Sequence, residues 1–111
     1  MKKTLLAVAL LGTALSTSIS PALADQYDRS VTIHNNSDGE IVYVHAKHVE
    51  NCDWGLDLLG SEETIKRGSS SMIDPINTEG YCMFLVRGEL NDGRKKYSLK
   101  NLCDATDVYL K

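Results

Sequence analysis

One stretch, Gly80 to Cys103 (G-Y-C-M-F-L-V-R-G-E-L-N-D-G-R-K-K-Y-S-L-K-N-L-C), limits the choice of folds more than any other part of this 111-residue chain. From Tyr81 to Arg87 both alternating sets of side chains are largely apolar, Cys82/Phe84/Val86 on one side and Tyr81/Met83/Leu85 on the other, which reads as a strand covered on both faces. Asn91-Asp92-Gly93 then supplies residues that accept positive φ at low steric cost, and Arg94 to Leu99 offers a more polar return strand. The stretch also holds two of the three cysteines of the chain. It describes the central hairpin of a small β domain.

The N-terminal segment 1–24 has the layout of an export signal. Lys2 and Lys3 precede an apolar run from Leu5 to Leu15, and Ala22-Leu23-Ala24 forms a small-residue cleavage site before Asp25. That run is shorter than the roughly 20 residues a membrane-spanning helix needs, so no membrane span is expected. Residues 25–111 then form a single domain, periplasmic or secreted. Loss of the leader removes two of the twelve basic residues and none of the fifteen acidic ones. An acidic domain whose only basic run is Arg94-Lys95-Lys96, pointing alternately to opposite faces of a strand, is not built to neutralise phosphates, and nucleic acid is not expected as a partner.

A domain of this size has a narrow margin between burial and chain entropy, and an oxidising compartment allows a covalent staple. Pairing Cys82 with Cys103 closes a loop around the central hairpin and its exit, worth about 3 kcal/mol in the loop-entropy view. Cys52 is left over, as a free thiol, a link to a second copy in a dimer, or an apolar filler.

Along the chain, Asp25 to Arg29 is polar and expected to fray. Ser30 to His34 starts the first strand with Val31 and Ile33 inward, and the Asn35-Asn36-Ser37-Asp38-Gly39 cluster reads as the turn of a hairpin. Glu40 to His48 forms its partner, with Val42, Val44 and Ala46 inward and Ile41, Tyr43, His45 and Lys47 on the other face. From Val49 to Gly60 the periodicity fails, so a packed loop is expected, with Trp54, Leu56, Leu58 and Leu59 folded over an open end of the sheets. A weak strand around Thr64-Ile65-Lys66, another from Ser70 to Asp74 with Met72 inward, a turn at Asn77 to Gly80, and a last strand from Asp107 to Leu110 complete the list. Six or seven short antiparallel strands with one disulfide describe an all-β fold, a two-sheet sandwich of Greek-key or immunoglobulin-like type.

Several of these residues together carry a resemblance: Asn35-Asn36-Ser37 before a strand with Ile41 and Tyr43, Asp53-Trp54-Gly55-x-Asp57-Leu58-Leu59, Gly68, Cys82, Asp92-Gly93 and Asn101-Leu102-Cys103. The chain resembles a group of small exported, uncharacterised proteins of Gram-negative bacteria. The resemblance implies a fold and a disulfide but no activity, and the H-A-K-H-V-E-N-C run with Cys52 departs from it.

No pattern in the chain describes a reaction centre. Cys52 and a histidine are present, but no oxyanion-hole motif or glycine-rich elbow accompanies them, so neither an enzyme nor a cofactor is expected. His45, His48 and Cys52 are candidate ligands for zinc or copper, with His34 as a fourth donor if its strand lies beside theirs. Their spacing is unfavourable, because His45 and His48 lie an odd number of residues apart and face opposite ways on an extended strand. Asp53, Asp57, Glu62 and Glu63 lack the acid spacing of an EF-hand loop and read as caps and solvated acids. Trp54 reads either as a plug over the end of the sandwich or as an anchor for a partner, with Asp53, Leu56 and Asp57 around it. The leading expectation is an exported, non-enzymatic module that binds an envelope or extracellular protein through the Glu50 to Gly60 loop. A periplasmic metal-binding protein and a secreted inhibitor of an envelope enzyme are the alternatives.

Overall fold

The computed structural model describes residues 27–76 and 78–111; the leader-like segment, Asp25, Gln26 and Asn77 lie outside the described residues. Six strands follow in chain order: β1 (Val31–Asn35), β2 (Ile41–His48), β3 (Ser70–Ile73), β4 (Met83–Leu90), β5 (Lys95–Asn101) and β6 (Asp107–Leu110). They make two three-stranded sheets, β3-β1-β6 and β2-β4-β5, packed together. Cys82 and Cys103 are joined across a sequence separation of 21, closing the loop around the β4–β5 hairpin. No helix among the described residues is long and apolar enough to cross a membrane.

Alternation on the strands builds the core. Val31, Ile33, Ile73, Val108 and Leu110 from one sheet meet Ile41, Val44, Phe84, Val86 and Leu90 from the other, with Leu59, Ile65 and Leu102 closing the margins. β5 contributes no fully buried apolar side chain, and Tyr97 and Leu99 are exposed. The inner face is tightly filled at Gly88, where an added Cβ would lie 2.6 Å from Leu110 Cδ1.

Several expectations from the sequence need correction. The Asn35–Gly39 turn is not the turn of a hairpin: β1 and β2 belong to different sheets, and the turn carries the chain from one to the other. The strands are not all antiparallel, because β6 runs parallel to β1, from Thr32↔Asp107 to Asn35↔Leu110. After β5 the chain returns to the first sheet from the far end, and β6 enters beside β1 in the same direction. On β2 a register shift between Ile41 and Tyr43 breaks the alternation, so that Ile41 is as deeply buried as Val44, and Val42 is only half-buried. Met72 points out, not in: Val31 pairs with Ile73, which therefore shares its inner face, while Met72 opposite Thr32 is 68% exposed. Thr64-Ile65-Lys66 is reduced to one bridge, Ile65 to Ile41. The outward set of β4 is not covered, since Met83 is exposed and Leu85 half-buried. Arg29 does not fray: its Nε donates to Tyr81 O at 2.6 Å and its side chain is buried.

The sheet-to-sheet turn depends on Asn35, which is fully buried. Its Nδ2 donates to Gly39 O at 2.8 Å and to Ile65 O at 2.7 Å, and its Oδ1 accepts from Ser37 N at 3.0 Å. Its backbone exchanges bonds with the next crossing, donating to Ser69 O and accepting from Gly68 N. Removing a buried partner strands carbonyls at about 1–3 kcal/mol each. Asn35→Ala is therefore expected to lower unfolding stability in urea by at least about 2 kcal/mol, and Asn35→Asp, which sets a carboxylate against two carbonyl oxygens, by more. Equal stability of Asn35→Ala and wild type would contradict this role.

Candidate functional site

The surface most unlike a solvated sheet is the outer face of β2-β4-β5. Strand register assembles it in rungs: Tyr43, Glu89 and Lys95; His45, Arg87 and Tyr97; Lys47, Leu85 and Leu99. Tyr43, Tyr97 and Leu99 are all exposed. Across this face lies the loop that follows β2.

Short polar side chains hold that loop in place. Lys47 Nζ donates to Asn51 O at 2.7 Å, Asn51 Oδ1 accepts from Asp53 N at 3.0 Å, and Asp53 Oδ1 accepts from Gly55 N at 3.0 Å. Two successive Asx turns of this kind replace a backbone ladder, and Gly55, at φ 73°, completes the reversal. Asp57 then latches the loop to the edge of β2, where its Oδ1 accepts from Val44 N at 2.9 Å and from Leu59 N at 3.1 Å, while Leu58 N donates to Val44 O. The exposed edge of β2 is thus covered, which removes a template for unwanted strand pairing.

The result is a fixed position for Trp54. The indole does not plug the end of the sandwich; it is half-buried on the outer face, with Arg87 Cζ 4.2 Å and Lys47 Nζ 5.0 Å from its ring centroid and the Tyr97 ring 6.3 Å away. Each cation over an indole contributes about 0.5–1 kcal/mol at a partly exposed site. The reason for the placement is room: Phe84 and its neighbours already fill the interior, and the Asx turns direct the loop outward. Leu56 also fails to fold inward and is 71% exposed, whereas Leu59 reaches the core. Between the loop and β2 lies a small cleft of about 60 Å³, bordered by Lys47, His48, Asn51, Trp54, Leu56 and Phe84 among others.

Arg87 is held without a full set of partners. Its Nη2 lies 3.4 Å from His45 Nδ1, and its Nε is buried with no acceptor. Burial, and next the Arg87 charge, push the His45 pKa below its ordinary 6.5, although Asp57 and Glu89 pull the other way. A neutral His45 spares the guanidinium a second positive charge beside it, but brings no negative one.

The four candidate metal donors do not converge. His45 is on the outer face; His48 pairs with Phe84 on the inner side and stacks on Tyr81 at 3.6 Å; Cys52 is an exposed free thiol. His34 belongs to the other sheet, where its Nε2 lies 2.7 Å from Asp107 Oδ1. Among the described residues no group of three or more His, Cys, Asp or Glu could hold a metal ion. Of the residues proposed around Trp54, Asp53 and Asp57 shape the loop and Leu56 remains free for contact. The residues missed from the sequence are Lys47, Arg87 and Tyr97. Their outward alternation was readable on each strand, but the register that aligns them was not.

Comparison with protein-family models, with curated proteins and with solved structures returned no match. The fold and this surface are the basis for a functional reading.

Asp57→Ala is expected to free the loop. Loss of two hydrogen bonds to a charged acceptor, at about 1.5–3 kcal/mol each, should destabilise the fold and raise acrylamide quenching of Trp54, the only tryptophan; unchanged quenching would show that the latch is not needed. A second expectation concerns pH. Because folding depresses the His45 pKa, the unfolded chain takes up more protons below pH 6.5, so stability present at pH 7 declines as the solution is acidified toward pH 5. Asp28, Asp38, Asp92 and Asp107 are held below the ordinary carboxylate value of 3.8 and lose their contributions only at lower pH. The fall in melting temperature between pH 7 and 5 should shrink in His45→Gln, and an identical slope would exclude His45 as its source.

Proposed function

We propose that this protein is an exported, non-enzymatic binding module of the Gram-negative envelope. It meets its partner with the outer face of β2-β4-β5 and the loop 50–60 that crosses it. The observation that carries the reading is the fixed position of Trp54, held by two Asx turns and the Asp57 latch beside Arg87 and Lys47 and flanked by exposed Leu56 and Tyr97. An aromatic residue with a guanidinium beside it, rigid and partly open, is the kind of side-chain pair that dominates protein interfaces. The leader-like segment and the disulfide support export to an oxidising compartment.

The test is capture from periplasmic extract on immobilised residues 25–111. Trp54→Ala should lose whatever wild type retains, by at least tenfold, while Met72→Ser, at an exposed apolar position on the opposite sheet, should retain it. Recovery of the same proteins by wild type and Trp54→Ala would remove this face as the contact surface.

A further inference from the structure

Arg87, within β4, and Arg94, in the turn between β4 and β5, are provided for very differently. Arg94 is compensated twice, its Nη2 lying 2.8 Å from Asp38 Oδ1 and its Nε 2.8 Å from Asp92 Oδ2. Arg87 forms no ion pair among the described residues, and neither does Lys47, whose only hydrogen bond there is to a backbone carbonyl. Both lie within 5.0 Å of the Trp54 centroid. The neutral His45 beside Arg87 supplies no negative charge, and the Nε of Arg87 has no acceptor. In a chain with more acids than bases, two neighbouring uncompensated cations fixed against one ring are an arrangement that local sequence does not explain.

We propose that Arg87, with Lys47 and Trp54, forms a recognition site for a single carboxylate carried by a peptide. The inference rests on the binding reading above and names the chemistry of the ligand. A guanidinium held over the indole ring has little side-chain freedom left to lose on binding, and its planar fork of donors matches the two oxygens of a carboxylate. Lys47 adds a second positive charge near the same point. The residue bearing the carboxylate finds apolar contact on Tyr97, whose ring is 6.3 Å from the indole, and on Leu56, which borders the same cleft as Trp54; both are exposed.

The neighbouring charges argue for one carboxylate and against a polyanion. Glu89 lies two residues from Arg87 on the same face of β4, and Glu50 and Asp53 are exposed in the loop. A nucleic acid backbone or an anionic lipid surface would press further negative charge against these three acids. A lone planar anion on Arg87 and Lys47 avoids them.

The experiment follows Trp54 fluorescence, which reports this site alone because the chain has one tryptophan. Folded protein is titrated with acetyl-glycyl-leucine bearing a free C-terminus, with the same peptide as its amide, and with acetyl-glutamyl-leucine amide. Saturable binding of the free acid, at least tenfold weaker for the amide and weakened by added salt, is expected; Arg87→Gln should lose at least tenfold in affinity and Lys47→Gln severalfold. If the glutamyl amide binds as well as the free acid, the site takes side-chain carboxylates; if it binds like the plain amide, the site takes chain termini. Equal binding of acid and amide, no binding of either carboxylate peptide, or full affinity in Lys47→Gln and Arg87→Gln overturns the proposal. Should Arg87→Gln not fold, the acid-to-amide ratio on wild type and the Lys47→Gln result decide the matter. Capture from extract that still depends on Trp54 when the carboxylate peptides fail leaves the surface standing and removes only this ligand chemistry.

Discussion

The buried side chain of Asn35 is the joint on which the two sheets depend. A sandwich whose first two strands lie in different sheets must turn the chain through its own margin, where backbone carbonyls leave water without a ladder to receive them. One amide satisfies the turn and the adjoining crossing at once, donating to Gly39 O and Ile65 O while accepting from Ser37 N. The same residue is the last of β1, so its backbone also fixes where the Gly68–Ser69 segment passes. Core burial supplies the larger share of the free energy, but it is non-directional and cannot by itself choose this connection.

The loop after β2 follows from that joint. Ile65 is bridged to Ile41 and the Asn35 amide, so the chain from His48 to Ile65 must run back along the edge of β2. Asp57 seals that edge, and the Asx turns at Asn51 and Asp53 set the indole over the sheet. The strand pairing that brings Lys47 and Arg87 beneath it is a separate event, decided by the β2–β4 register. Trp54 is thus fixed by two unrelated constraints meeting at one place, and each is local in its chemistry. The consequence is a rigid, half-exposed ring with uncompensated positive charge, on a domain that is otherwise acidic.

Much of the architecture was legible in the residues. The β4–β5 hairpin, its Asp92-Gly93 turn and the terminal strand could be read because their signals are local: alternation over several residues, and a glycine at φ 92° where the backbone requires it. The Cys82–Cys103 bond was legible for a related reason, since both cysteines flank that same hairpin. The errors fall where one residue, or no residue, carries the information. A single extra residue at Val42 reverses the facing of everything before it, so that Ile41 is buried where alternation had placed it outside. Met72 and Ile73 are equally apolar, and only pairing with Val31 tells them apart. The candidate site was half legible: Trp54 and its loop stood out by composition, while Lys47, Arg87 and Tyr97 are scattered over three strands.

The sequence by itself determined the class of fold, the approximate extent of most strands, and the disulfide, because each depends on side-chain period, turn chemistry or short separation along the chain. Tertiary structure alone decided that the first turn crosses between sheets, that the last strand runs parallel to the first, and that the indole lies outside the core against two cations. Those outcomes depend on which distant strands pair and in what register, and the free-energy differences that choose among registers come from burial summed over the whole interior.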